Sequence, residues 1–148
     1  MSLSCCFIDT SALFKRYIDE TGSDKMDSLF ESDALLIISN LTVVEFVSNL
    51  KRLADIDRLI SNEVYEIIKS AFFHDIAKGR VRVEPVSSTH IVASIDIINE
   101  KYVTPIDSIQ LATLINLKKS FPDISFVCSD KKLCNLAESA GIKVIHVG

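Results

Sequence analysis

The sequence has no long apolar run, no cysteine pair at metal-binding spacing and no excess of basic residues. Charged residues interrupt its apolar stretches, and none of them approaches the roughly 20 residues that a membrane helix requires. The start of the chain also lacks the basic segment and apolar block of a secretory signal. We therefore expect a cytoplasmic protein without a membrane span.

The four cysteines show no C-x-x-C spacing, and two of them are adjacent in a strand, where they would point to opposite faces. We expect all four to be reduced, buried thiols. The three histidines are equally scattered, without a His, Cys or acid partner at ligand spacing, so a zinc site is not expected. The cysteines are Cys5, Cys6, Cys128 and Cys134.

The formal net charge is -4. This charge argues against a protein that coats nucleic acid by electrostatic attraction alone. It does not exclude a nuclease, because a cation bound among acids reverses the local field.

The 148 residues fit one domain, 1–148, and no repeat, linker or low-complexity segment interrupts the chain. Apolar and polar periodicity predicts strands that alternate with helices, as in a parallel sheet with helices on both faces. We predict a three-layer α/β/α fold with a central parallel sheet of four to five strands. The predicted strands are 3–8, 35–39, 81–86 (an edge strand), 124–128 and 143–147. The predicted helices are 10–18, a short one capped by Ser23 or Asp24, 41–54, 62–77, 87–100, one begun by Pro105, and 130–140.

Four acids follow the predicted strands or begin the predicted helices. Asp9 and Asp130 come directly after two strands, so both would lie at the carboxyl edge of the sheet. Glu45 lies in the first turns of the helix after the second strand, and Asp107 in the first turn of the helix begun by Pro105. In open parallel sheets this edge carries the ligand site.

Each acid also has a purely structural interpretation. Thr42 with Glu45, and Thr104 with Asp107, match the capping-box pattern. Asp9 and Asp130 could be N-caps, which stabilise a helix by about 1 kcal/mol each. Four carboxylates at one edge would, however, repel each other by about 4 kcal/mol per pair at 4 Å if the effective dielectric constant is near 20.

A group of carboxylates without matched lysine or arginine suits a hard divalent ion, Mg²⁺ or Mn²⁺. Such an ion lowers the pKa of a bound water and stabilises charge on a phosphate. The acids therefore favour metal-assisted hydrolysis of phosphodiesters over capping alone.

Four segments also carry a family resemblance. FIDTSAL at 7–13, SNLTVVE at 39–45, PIDSIQLAT at 105–113 and VCSDKKL at 127–133 resemble the acidic motifs of PIN-domain ribonucleases, in particular the VapC toxins of toxin–antitoxin pairs. The resemblance implies a PIN-like fold, cleavage of RNA by a metal-activated water, a homodimer and an antitoxin partner. Gln110 departs from the pattern, because many relatives carry histidine there.

The resemblance also implies roles for individual residues. The catalytic, metal-binding acids would be Asp9, Glu45, Asp107 and Asp130. The hydroxyls of Thr10, Ser11 and Ser129 would orient the carboxylates or water.

Basic and apolar side chains near these motifs suggest binding surfaces. Arg52 lies seven residues after Glu45, about 20° round the helix and roughly 10 Å along it, so it could contact an RNA phosphate. Lys15, Arg16, Lys131 and Lys132 lie near the acidic motifs, but each is at least as easily a solvated surface charge. Phe72 and Phe73 cannot both face inward on one helix, which hints at an apolar surface for a partner.

Three other functions fit parts of this pattern. A PIN nuclease for RNA processing or turnover would carry the same acids without an antitoxin. A catalytically silent interaction module would use the acids only as caps. Phosphoryl-transfer domains that use an Asp are disfavoured. In a phosphoacceptor signalling domain the acceptor Asp and a Lys would stand where this chain has Glu84-Pro85-Val86 and His146-Val147-Gly148. A phosphatase with an Asp nucleophile would carry a second Asp where this chain has Ser11.

Overall fold

The computed structural model describes residues 4–148. Leu3, at the start of the first predicted strand, lies outside the described residues. None of the helices within 4–148 is long and apolar enough to cross a membrane. The strands are β1 Cys5–Ile8, β2 Leu35–Ser39, β3 Val81–Glu84, β4 Ser125–Cys128 and β5 Lys143–His146. The helices are α1 Thr10–Tyr17, α2 Ser23–Glu31, α3 Asn40–Asp55, α4 Asn62–Ala77, α5 Ser88–Glu100, α6 Pro105–Ser120 and α7 Lys131–Ser139.

All five strands pair in parallel, in the order β3-β2-β1-β4-β5. The predicted parallel sheet is therefore confirmed, and β3 is an edge strand as predicted. The chain builds outward from β1 to β3 on one side and then returns to add β4 and β5 on the other. The strand order thus reverses between β1 and β4, which is where open parallel sheets bind their ligands.

Helices cover both faces of the sheet, which confirms the predicted three layers. Because side chains alternate along a strand, Cys6 and Ile8 of β1 pack into a core with α1, α2, α3 and α4. Cys5 and Phe7 face the opposite core, which α6 and α7 complete. Helix α5 packs on α6.

Local chemistry fixes several helix starts. The Ser39 side chain accepts a hydrogen bond from the Thr42 backbone N–H at 3.2 Å, so α3 begins at Asn40, ahead of the predicted start. The predicted cap of α2 is wrong. Gly22 precedes that helix with φ 98°, and a Cβ at this position would lie 1.6 Å from the Val147 carbonyl oxygen. Glycine is required there because the chain end passes directly over it.

The prediction of four reduced cysteines is wrong for two of them. Cys128, the last residue of β4, forms a disulfide with Cys134 in α7, with their Cα atoms 6.1 Å apart. Helix α7 turns back against β4 and β5, which brings residue 134 over the strand end. Cys5 and Cys6 are free and buried, as expected.

Candidate active site

Asp9 lies between the end of β1 and the start of α1, next to the place where the strand order of the sheet reverses. Its backbone N–H donates to the Val127 carbonyl oxygen at 2.9 Å, which continues the β1–β4 ladder past Ile8. Asp9 occupies the N-cap position of α1, but its side chain makes no capping hydrogen bond. The side chain instead accepts from the Ser11 hydroxyl at 3.1 Å and, more weakly, from Gln110 Nε2 at 3.4 Å. The capping interpretation of Asp9 therefore fails.

Burial dominates the electrostatics of Asp9, which is only 7% exposed. Loss of solvation raises the pKa of its carboxyl group to about 6, against hydrogen bonds from Gln110 and Ser11 that lower it. The negative charge of Asp107 raises this pKa further. Asp9 and Asp107, which are 98 residues apart in the sequence, thus lie within electrostatic range of each other.

Asp107 lies in the first turn of α6, two residues after Pro105 at the helix start. Its pKa is raised by burial and by the charge of Asp130, and lowered by a hydrogen bond with the Thr104 side chain. Thr104 itself makes no side-chain capping bond to the helix. Asp107 therefore connects Asp9 to Asp130 in one group of acids.

Glu45 projects from α3 to Thr10, the residue that follows Asp9. The Thr10 hydroxyl donates to Glu45 Oε1 at 2.8 Å, which ties α3 to the start of α1. The capping-box interpretation of Thr42 with Glu45 is wrong, because Ser39 caps this helix and Glu45 lies almost two turns inside it.

Asp130 is the acid for which the capping interpretation holds. It is the N-cap of α7, and its Oδ1 accepts from the Lys132 backbone N–H at 2.8 Å. The residue is exposed, and the cap uses only one of its two carboxylate oxygens. Capping thus leaves Asp130 an oxygen for another role.

The predicted hydroxyl residues are placed unequally. Thr10 and Ser11 each donate to one of the acids, as described above. The hydrogen bond of Ser129 is to a histidine and not to an acid: its backbone oxygen lies 3.0 Å from His146 Nε2. Ser129, Ser11 and Arg52 together line a cavity of about 350 Å³ beside the acids.

Two of the four nearby basic residues are used elsewhere. Lys15 is buried, donates to the Thr21 carbonyl oxygen at 2.6 Å and pairs with Glu20. Arg16 pairs with Asp27 at 3.0 Å. Lys131 and Lys132 are exposed.

Sequence reasoning missed three polar side chains behind the acids, namely Ser39, Thr42 and Gln110. All three are 0% exposed. Gln110 Nε2 donates to Thr42 Oγ1 at 2.8 Å, and the Ser39 hydroxyl donates to Gln110 Oε1. The signal in the sequence was Gln110, a single amide within the apolar stripe of α6. This residue departs from the pattern of the family that the motifs resemble.

The carboxylate oxygens of the four acids are the ligand type that a hard cation prefers. Within residues 4–148, none of them forms an ion pair with lysine, arginine or histidine. Across the same residues, no group of three or more His, Cys, Asp or Glu side chains is arranged so that it could hold a metal ion. Magnesium needs only one or two direct carboxylates and keeps several waters, so an open group of acids matches its chemistry better than that of zinc.

Solved structures with a similar fold include several toxin–antitoxin proteins. VapC20 of Mycobacterium tuberculosis, described as a sarcin-ricin loop cleaving toxin, is 15% identical with a TM-score of 0.66 over 95% of this chain and 98% of its own. FitAcB of Neisseria gonorrhoeae is 16% identical with a TM-score of 0.63, over 95% and 96%. DNA-bound VapBC of Salmonella typhimurium is 15% identical with a TM-score of 0.61, over 99% and 100%. At these identities the likeness shows the fold.

Comparison with curated protein sequences finds no significant match. The PIN domain family model, in contrast, matches residues 6–145, which is nearly the whole chain and includes all four acids. The sheet topology and the group of acids at its carboxyl edge agree with that match, and the chain belongs to the PIN-domain family.

Proposed function

We propose that this protein is a divalent-metal-dependent ribonuclease that hydrolyses RNA phosphodiester bonds, and that it is the toxin of a toxin–antitoxin pair. The observation that carries the proposal is Asp9, a buried carboxylate that caps no helix and forms no ion pair within residues 4–148. Burying such a charge without an opposite charge beside it is costly. A cation shared with the neighbouring acids would offset that cost.

Asp9, Glu45, Asp107 and Asp130 would hold Mg²⁺ or Mn²⁺. The bound ion would supply an activated water and would offset charge on the scissile phosphate. Ser11 orients Asp9 and Thr10 orients Glu45, because each hydroxyl donates a hydrogen bond to a carboxylate oxygen.

The substrate would approach from the cavity that Ser11, Arg52 and Ser129 line. Arg52 is exposed there, and in this proposal it contacts an RNA phosphate. The pKa of Asp9, near 6, leaves that carboxyl group mostly ionised at neutral pH.

An apolar groove between α3 and α4 supports the proposal that a protein partner binds this chain. It has a volume of about 650 Å³, and Val44, Ile56 and Phe73 on its walls are 68%, 71% and 43% exposed. Phe72, in contrast, is fully buried, so the adjacent phenylalanines divide as the sequence predicted. Several fold neighbours are toxin–antitoxin complexes, and in this proposal an antitoxin segment covers the groove.

The homodimer implied by the family resemblance stays a prediction. Helix α5 carries exposed apolar side chains at Ile91, Val92 and Ile95, which such a contact would use. A nuclease of RNA turnover without an antitoxin remains the alternative; an upstream reading frame for a small antitoxin-like protein would separate the two.

Cleavage of RNA by the purified chain, free of antitoxin, tests the activity directly. We expect cleavage with Mn²⁺ or Mg²⁺ and none with chelator. Asp9→Asn and Asp107→Asn should each slow cleavage by more than about 100-fold, since loss of an outer-shell partner alone costs 10- to 100-fold. The matched control is Asp33→Asn, which removes an exposed carboxylate at the opposite, amino end of β2.

The outcomes separate the alternatives. Cleavage that survives both substitutions would place the activity elsewhere or in a contaminating nuclease. A chain that cleaves no RNA and binds no Mn²⁺ in calorimetry would be the silent module. Equal losses in Asp33→Asn and Asp9→Asn would show that net charge, rather than this group of acids, determines the activity.

A further inference from the structure

Gln110 projects from α6 into the space behind the acids, where it is completely buried. Both ends of its amide are used. Oε1 accepts from the Ser39 hydroxyl, while Nε2 donates to Thr42 Oγ1 at 2.8 Å and points at Asp9 Oδ1 at 3.4 Å. One neutral side chain thus joins α6 to the end of β2, to α3 and to the end of β1.

The orientation of this amide is determined by its neighbours. Ser39 Oγ already accepts the Thr42 backbone N–H, so its single proton is available for Gln110 Oε1. A flipped amide would place its oxygen against the Asp9 carboxylate and its NH₂ group against the Ser39 proton. The contact between the amide oxygen and the Asp9 carboxylate would be repulsive, and therefore the N–H groups face Asp9 and Thr42.

A chain of hydroxyls continues from Thr42 to Glu45. Thr10 has one proton, and the carboxylate of Glu45 at 2.8 Å is a better acceptor than the Thr42 hydroxyl at 3.1 Å. The contact between Thr10 and Thr42 then uses the proton of Thr42. Every donor along this path points from the Gln110 amide towards Glu45.

We propose that Gln110 is a positioning residue that sets the Asp9 and Glu45 carboxylates together, Asp9 directly and Glu45 through Thr42 and Thr10. The inference rests on the proposed nuclease function. A lysine or arginine could hold the same acids, but its charge would compete with a cation. The amide fixes their positions and leaves their negative charge for the ion.

Packing alone does not account for an amide at this position. Other buried residues of α6, such as Leu111 and Leu114, are apolar, and a leucine or methionine at 110 would need no hydrogen bonds. Thr113 offers a matched comparison on the same helix. It is also fully buried, but its hydroxyl donates to the Ile109 carbonyl oxygen at 2.8 Å, within its own helix.

Three variants test the proposal by their affinity for Mn²⁺ in titration calorimetry. Gln110→Met keeps the length of the side chain and removes both donors, and we expect about 10- to 100-fold weaker binding. Thr42→Val cuts the path to Glu45 but leaves Gln110 beside Asp9, so its loss should be smaller. Thr113→Val removes an equally buried hydroxyl and should bind within about twofold of the wild type. Thermal unfolding of each variant establishes that it is folded before titration.

Two outcomes would overturn the inference without touching the proposed function. One is a folded Gln110→Met that binds Mn²⁺ as tightly as the wild type. The other is an equal loss in Thr113→Val, which would show that any buried polar group on α6 has this effect. If Gln110→Met does not fold, the affinities of Thr42→Val and Thr113→Val for Mn²⁺ can be compared in the same way.

A wild type that binds no Mn²⁺ would instead overturn the proposed function. Metal-free crystal structures then decide the inference separately. We expect the Asp9 and Glu45 carboxylates to change position in Gln110→Met and to keep it in Thr113→Val. Unchanged carboxylates in Gln110→Met would refute a positioning role.

Discussion

The four acids divide into two halves that are held in different ways. The inner half is Asp9 and Glu45, and the outer half is Asp107 and Asp130. Side chains from distant parts of the chain hold the inner acids, as when Thr10 reaches Glu45 or Gln110 reaches Asp9. The outer acids lie at their own helix starts: Asp107 is in the first turn of α6, and Asp130 accepts a hydrogen bond from the Lys132 backbone N–H.

Because of this difference, substitutions in the two halves should affect stability in different ways. Apart from the local hydrogen bond from Ser11 to Asp9, the inner contacts exist only when α1, α3 and α6 are packed on the sheet, so their geometry depends on the whole fold. The outer contacts form within one helical turn and need only that turn. Changes in the inner half should therefore alter global stability, and changes in the outer half should act locally.

The largest expected effect on stability is the pH dependence due to Asp9. Its pKa is about 6 in the folded protein and 3.8 in the absence of structure. Between these values the folded state keeps a proton that the unfolded state has lost, so stability falls as the pH rises from about 4 to about 6. About 2 pKa units correspond to about 3 kcal/mol.

Urea unfolding of the metal-free protein at several pH values, with chelator present, measures this effect. Asp9→Asn cannot titrate and should lack that part of the decline. Asp33→Asn, at an exposed acid, controls for the loss of one formal charge. If stability depends on pH in the same way in the wild type and in Asp9→Asn, burial does not raise the pKa of Asp9.

The next effect concerns the Cys128–Cys134 disulfide, which encloses Asp130 in the outer half. A bridge with a sequence separation of 6 closes a short loop, and the chain-entropy model gives about 2 kcal/mol for it. Reductant should lower the free energy of unfolding by about that amount. In hydrogen exchange, the amides of α7 should lose protection more than those of α1.

The control for this prediction is Cys128→Ala combined with Cys134→Ala. This double variant should start at the lower stability and show no response to reductant. The structural role of the bridge would be contradicted if reductant left the free energy of unfolding of the wild type unchanged. It would also be contradicted if reductant lowered that of the double variant equally.

The positions of the acids were more predictable from the sequence than the contacts that hold them. Strand periodicity and the position of each acid placed Asp9 and Asp130 at the same edge of the sheet, because a residue directly after a parallel strand can lie nowhere else. Periodicity likewise predicted most strands and helices to within a few residues. These inferences use relations along the chain that hold before any tertiary contact is known.

The supporting contacts of the inner half could not be predicted in this way. Thr42 and Gln110 are 68 residues apart, and their hydrogen bond depends on how α3 and α6 meet at the sheet. Apolar periodicity also placed the start of α3 one residue too late, because Ser39 is both the last residue of β2 and the N-cap of the helix. The disulfide was missed for a similar reason: its spacing gives no motif, and only the return of α7 over β4 brings the two sulfurs together.

The smallest expected effect on stability separates the two roles of Asp130. Asparagine caps a helix about as well as aspartate, whereas alanine loses about 1 kcal/mol. Asp130→Asn should therefore keep the stability of the wild type, and Asp130→Ala should lose about 1 kcal/mol in urea unfolding. If the carboxylate also acts in the site, Asp130→Asn should still slow RNA cleavage by about tenfold, as loss of an outer-shell partner does. An Asp130→Asn variant that cleaves RNA at the wild-type rate would reduce Asp130 to a cap, and the candidate metal site would then rest on Asp9, Glu45 and Asp107.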